Sequence, residues 1–475
     1  MTLELAINNE PSDQTAAPPL SRTIAEFVQD VDYRALPQRL RDFARYHILD
    51  TVGTALAATK FEFAQRALNG LAAMAEGGSA TVLGMGATLP LKDAVIMNGI
   101  LAHGLDYDDT HPGGPVHPSS SAFPCALGLA EFLDRSGKDL LTAYLIAVEI
   151  STRVGMATNG ALLKSGYHTT GVAGHMGCAL GAGHLMRLNA EQLVFAQGLA
   201  GSTASALAEH RADGAWNKRF HPGWAGAGAI TAASLARSGF IGTRKIYEGQ
   251  DGLFRSHAGT HLALVVPQAL VDGLGSTWRA EEVAVKPYPV CHMLHACIDS
   301  VLALKQQHEI KPDDIAEVRA LLHPAVFHSV CENPELRRKP ASDYIAKFSV
   351  YYTLAAALVR GRCGFAELES ESLNDPSILA LATRVTYDTD PDSLYPEYFS
   401  GGATITLKNG KTYRHVDKIN RGAGDRALTG AEISEKFLEN AELVTTSARA
   451  RELRDFVLDI EQHSARGFAH ALRRL

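Results

Sequence analysis

The stretch ILAHGLDYDDTHPGGPVHPSSSAFPCALGLAE, Ile100 to Glu131, decides how the rest of the chain is read. His103, His111, His117, Asp106, Asp108 and Asp109 fall within fifteen consecutive positions. Pro112-Gly113-Gly114-Pro115 forbids regular structure and lets the backbone come close to a ligand. The apolar run Ala122 to Leu129 that follows predicts a buried helix. A polar, ionisable segment pinned between helices is where a rigid scaffold places its chemistry.

Working outward, the upstream pattern is helical from Ser21 to Thr59. Pro37 suits a first turn, and Phe43, His47, Ile48, Val52, Ala55 and Leu56 form one apolar stripe. A second helix is predicted over 62–76, a short extended piece at Ala80 to Leu83, and helix again from Pro90 to Leu101. Downstream, 133–157 reads as helix starting at Gly137-Lys138-Asp139. His168 then stands at a helix N-terminus, where free N–H groups and the macrodipole favour an anion. Asn189 to Gln192 opens the next helix in capping style, running to about Glu209. HRADGAWNKRFHPGW, 210–224, breaks the pattern and reads as a cationic loop before a helix over 225–238.

The run from Lys164 to Arg187 is long enough for a bilayer. His168, His175, His184 and Tyr167 would be costly there, and its Gly and Ala content predicts close packing inside a protein. Past Val266 the character changes. Ile315 to Leu322, Arg384 to Tyr387 and Ala403 to Leu407 read as strands, with Asn409-Gly410 as a two-residue hairpin turn. The expected fold is mainly α. A helical domain spans 21–267, an α+β lid spans 268–425, and helices over 426–475 return to the first domain. Residues 1–20 form a flexible lead.

At 475 residues the chain exceeds one ordinary core. A net charge of −7 without a Lys- or Arg-rich run argues against nucleic acid as a partner. The six cysteines make no CxxC pair and read as reduced cytosolic thiols. The N-terminus lacks the basic and apolar regions of a secretory signal, so a cytoplasmic protein is expected, with no membrane partner.

Six segments carry a resemblance: AHGLDYDDTHPGGPVHPSS, SGYHTTGVAGHMG, ADGAWNKRFHPGWA, EGQDGLF, KPYPVCHMLHACID and AKFSVYYTLAAAL, in order from about 90 to 360. They resemble the MmgE/PrpD family, which holds 2-methylcitrate dehydratase, cis-aconitate decarboxylase and iminodisuccinate epimerase. The resemblance implies a large helical domain with a smaller α+β lid, a homodimer, and a pocket between domains needing no metal or organic cofactor. It carries function to Asp106, Thr110, His117, His168, Lys218, Lys286 and Tyr352. The text LDYDDTH departs from the LDFNDTW of the dehydratase branch and is nearer the decarboxylase branch.

All three reactions move a proton at a carbon next to a carboxylate, so cations must stabilise developing negative charge. Lys218 and Lys286 are the candidates for that clamp, with Arg219 in support; a lysine is ordinarily a solvated surface group. His117 and His168 are the candidates for proton transfer, and the sequence assigns neither as acid or base. Asp106 would orient a histidine or the substrate, and Thr110 would hydrogen-bond a carboxylate. His103 joins the substrate-binding candidates, although His103 and His111 serve equally well as structural residues. Asp108 and Asp109 read as caps or solvated groups. The expected activity is a lyase on a small di- or tricarboxylate. Dehydration of a 2-methylcitrate-like acid comes first; cis-aconitate decarboxylation or epimerisation of an iminodisuccinate-like diacid are the alternatives. A metal-dependent hydrolase using His103, Asp106, His111 and His117, and a non-catalytic binding protein, are the readings from other classes.

Overall fold

The computed structural model describes residues 17–475 and shows a mainly helical protein with two buried cores. The lead expected over 1–20 lies outside the described residues as far as position 16, and by Leu20 the chain has entered the helix Leu20–Asp30. In the first core, Gly137–Thr158 and Thr169–Leu185 lie along each other. Gly177 permits that approach, because a Cβ there would stand 2.3 Å from the Ala147 carbonyl oxygen. The run suspected for its length is thus a packed core helix. Gly137–Thr158 is also long and apolar enough to cross a membrane, yet 94% of its apolar window is buried inside the fold. Ser136 and Asp139 cap it reciprocally.

Two helical expectations need correction. The helix opened by Asn189 ends at Thr203, short of Glu209. The 210–224 segment is not a loop: a turn of helix, His210–Asp213, ends at left-handed Gly214, and the long helix Asn217–Arg237 begins three residues later. Pro222 in its second turn removes one helical N–H, which is why the local pattern reads as a break. Tertiary contact overrides that cost. Gly223 crosses Gly99 of the helix Leu91–His103, and a Cβ on Gly99 would lie 2.3 Å from Gly223 Cα. Only glycines allow this crossing, and it delivers Lys218 to the end of Leu91–His103.

The second core surrounds a four-stranded sheet in the order Val385–Thr389, Ile315–Leu322, Gly401–Leu407, Thr412–Asp417. The first pair is parallel and the others antiparallel, with Val318 between Val385 and Ile405. The helices His295–His308 and Val350–Arg360 pack against it. The Asn409-Gly410 turn is a three-residue loop rather than two. Leu407 N donates to Lys411 O, Gly410 N to Leu407 O, and Gly410 takes φ +83. From Ile433 onward the apolar side chains return to the first core, with Phe437 seated on Gly53.

Candidate active site

The helix Leu91–His103 stops where the Asp-rich segment begins, and Asp106 there adopts φ +55. A left-handed turn at a non-glycine residue is costly, though Asp tolerates it better than most. What holds it is a comb of lysines. Lys347 Nζ donates to Leu105 O at 2.8 Å, Lys286 Nζ to Asp106 O at 2.7 Å, and Lys436 Nζ to Tyr107 O at 2.9 Å. Three consecutive carbonyls thus accept from three buried ammonium groups brought from distant parts of the chain.

The Asp106 side chain faces two of the cations expected of a clamp. Lys218 Nζ donates directly to Asp106 Oδ1, and Lys286 Nζ lies 3.5 Å from the same oxygen. Burial alone would raise the Asp106 pKa; Lys218, then Lys286, outweigh it and hold the carboxyl well below the usual range. Lys218 sits in the first turn of a helix, where the macrodipole already favours negative charge. Arg219, buried beside it, stacks 4.1 Å from the centre of the Phe63 ring and forms no ion pair among the described residues. Burial lowers its pKa. Lys347 is lowered to about 8, chiefly by burial, against the carboxylate of Asp343 at 3.6 Å. Arg219 is thus a buried cation without an ion partner among the described residues, and a buried charge without a partner is expensive.

The histidines gather against this centre. His103 and His168 stack with ring centres 5.3 Å apart, and His103 and His117 lie 4.9 Å apart. His103 Nδ1 meets Asp108 Oδ2 at 2.6 Å; a carboxylate only accepts, so Nδ1 carries the proton and the buried Nε2 is left without a partner. His117 Nδ1 lies 2.9 Å from Asp109 O and 3.1 Å from Thr110 Oγ1. Its Nδ1–H therefore donates to the carbonyl, and Nε2 keeps the lone pair. Burial pushes the His117 imidazole well below its ordinary pKa; Asp108 opposes this, and the lysines reinforce it. His168 is lowered in the same way by burial and then Lys218, and its Nε2 is buried without a partner.

The structure thus brings together Asp106, His103, His117, His168, Lys218 and Lys286, with Thr110 holding His117 and Arg219 alongside. It leaves Tyr352 out. That hydroxyl donates to Glu367 O at 2.7 Å inside the second core, because the helix starting at Val350 turns it toward the sheet. His111 is also elsewhere, bonding Gly114 N and Glu282. Asp108 and Asp109 are neither solvated nor simple caps. Asp108 is shared by His103 and His117 and is held low by them against burial. Asp109 takes His47 Nδ1 at 2.8 Å and Ser119 Oγ at 2.5 Å. Lys347, Lys436 and His221 belong to the site and escaped the sequence reading.

The four groups His103, Asp106, Asp108 and His117 place ligand atoms within 4.8 Å of one another, a spacing a metal could use. The charges argue against it. Asp106 Oδ1 is already shared by two ammonium groups, which would repel a divalent cation. The arrangement suits an anionic ligand bearing carboxylates, with neutral imidazoles beside it for proton transfer.

Comparison with known proteins agrees. The MmgE/PrpD N-terminal domain matches residues 22–263 and the MmgE/PrpD C-terminal domain residues 288–462. A cis-aconitate decarboxylase of Aspergillus terreus is 24% identical, covering 96% of this chain and 96% of its own. The cis-aconitate decarboxylase of Homo sapiens is 26% identical over 89% of this chain and 88% of its own length. That of Mus musculus is 28% identical over 83% and 81%. The chain belongs to the MmgE/PrpD family and is an enzyme of the lyase class.

Proposed function

We propose that the protein removes a carboxylate as CO2 from a small unsaturated tricarboxylate of the cis-aconitate kind. The observation that carries this is the pair of buried lysines, Lys218 and Lys286, on Asp106, with buried Arg219 beside them and in no ion pair among the described residues. A substrate with several carboxylates supplies the missing negative charge. The relatives' names favour decarboxylation over the dehydration that the sequence put first.

In this reading, the bond to the leaving carboxylate breaks and CO2 departs. The double bond shifts, and the electron pair comes to rest beside a remaining carboxylate as an aci-carboxylate. Lys218 and Lys286 stabilise that charge, an effect worth about 3–4 kcal/mol for one well-placed donor. A proton from the imidazole side then completes the product. His117, with its Nε2 lone pair, is suited to accept, so His168 is the donor.

The enzyme works as a cytoplasmic homodimer without an added cofactor; its six buried free thiols suit that compartment. Incubation with cis-aconitate, 2-methylcitrate, citrate and iminodisuccinate, followed by chromatography, tests the choice. Loss of cis-aconitate with CO2 release supports decarboxylation. Water loss from 2-methylcitrate alone would replace it with dehydration, and inertness toward all four would overturn the lyase assignment to such acids.

A further inference from the structure

His221 stands one turn along the same helix face from Lys218, and its Nδ1 is 3.1 Å from His168 Nδ1. Two neutral imidazoles meeting through Nδ1 share one proton between those atoms. Whichever ring holds it, the other must carry its own proton on Nε2. His168 Nε2 is buried and has no partner, and the His168 ring stacks against His103 in the catalytic cluster. His221 is half-buried, with the His210 ring centre 5.9 Å away and Gly171 of the facing helix packed against its Cβ.

We propose that His221 is the proton relay partner of His168, sharing a proton between the two Nδ1 atoms and supplying it there as His168 gives one from Nε2. This rests on the decarboxylation reading, in which a carbon must be protonated inside a closed pocket. Before the step, His221 Nδ1–H donates to His168 Nδ1, and His168 Nε2 carries the proton to be given. His168 Nε2–H passes its proton to the carbon that holds the electron pair. His168 Nδ1 takes the shared proton from His221, and His221 Nε2 takes one from solvent. One proton has entered, one has reached carbon, and both rings end neutral in the opposite tautomers. The pair resets when His168 Nδ1 returns the shared proton to His221, His221 Nε2 releases one to solvent, and His168 Nε2 takes one from water that enters as product leaves.

The groups facing His221 favour neutrality. Burial, His210, His103 and Lys218 together push it down to about 3. Burial, Lys218 and His103 also hold His168 well below its ordinary pKa. The largest influences on each ring are burial, Lys218 and neighbouring histidines, so both rings rest neutral.

His221→Asn tests the relay, since its amide can still hydrogen-bond His168 Nδ1 but cannot pass a proton through. Expected is a fall in kcat of at least about 10-fold, with KM within about 2-fold. A wild-type rate in H221N would overturn the proposal. A second measurement needs no turnover: 15N spectra of the histidine-labelled full-length protein. In the wild type the Nδ1 signals of His168 and His221 should be averaged between the two tautomers. In H221N, His168 should settle into one. If H221N leaves the His168 signals unchanged, the proposal fails even if the protein decarboxylates. If the wild type is inert toward cis-aconitate while the averaged signals are present, the substrate reading falls and the pairing stands.

Discussion

Lys286 Nζ donates to the backbone carbonyl of Asp106 at 2.7 Å while standing 3.5 Å from that residue's side-chain oxygen. One ammonium group thus holds both the strained main chain and the charge of the central carboxylate. Lys286→Met should remove both restraints. Turnover is expected to fall by at least about 100-fold, as for loss of a preorganised charge donor. Steady-state kinetics on the accepted acid check it, and near-normal kcat/KM would refute the clamp.

Lys347 should set the alkaline limit of activity. Its pKa lies near 8, far below the ordinary lysine value, because burial disfavours the charged form more than Asp343, and more weakly Asp106, restore it; Arg219 adds to the lowering. Above that pH it loses its charge, and its grip on Leu105 O weakens. The kcat profile of the wild type should fall through about pH 8. In Lys347→Arg, whose guanidinium does not titrate there, that limb should move up by more than one unit. An unchanged limb in K347R would assign it to another group.

Acid should weaken the fold through its buried histidines. His168 and His117 are well below their ordinary pKa, His210 is lowered to about 4 and His292 to about 3, all chiefly by burial. Each folded pKa lies below the unfolded one, so the unfolded chain binds more protons between them. Stability is then full above about pH 6.5 and is lost as pH falls toward 4. Asp106 acts in the same direction at lower pH: its lowered pKa stabilises the fold above about pH 3.9, and that contribution is not lost in this window. A melting temperature that drops steadily from pH 6.5 to 4.5 is expected; a flat one would show these imidazoles to be solvated.

Tyr352→Phe should leave the kinetics alone. Its hydroxyl bonds Glu367 O within the second core, so the variant should lose about 1 kcal/mol in urea unfolding and keep kcat and KM within about 2-fold. A large loss of kcat would return Tyr352 to the active site.

Exhaustive dialysis against a chelator should leave turnover unchanged, since two lysines already occupy the carboxylate a metal would need. Loss of activity restored by added Zn2+ or Mn2+ would favour the hydrolase reading.

The mainly helical fold and the Asp- and His-rich centre were legible because their signals are dense and local. Six ionisable residues lie in one short stretch, and the strand Ile315–Leu322 has the bounds read from its sequence. Lys347 and Lys436 were not legible. Each is a single lysine in a helix, where a solvated side chain is the ordinary outcome, and only the long-range approach to residues 105–107 gives it a role. Tyr352 misled for the converse reason. It follows Lys347 closely in sequence, but Ser349 caps a new helix between them, so Lys347 reaches Leu105 O while Tyr352 turns into the second core. His221 was hidden by Pro222, which made a helix look like a loop.

The most direct test follows cis-aconitate by proton NMR in D2O with the wild type and with Lys218→Met. Expected is a decarboxylated diacid bearing a single deuterium on the carbon beside its carboxylate, formed by the wild type and at least about 100-fold more slowly by K218M. Product without deuterium at that carbon, or equal rates in the two proteins, would contradict a cation-stabilised carbanion protonated within the pocket.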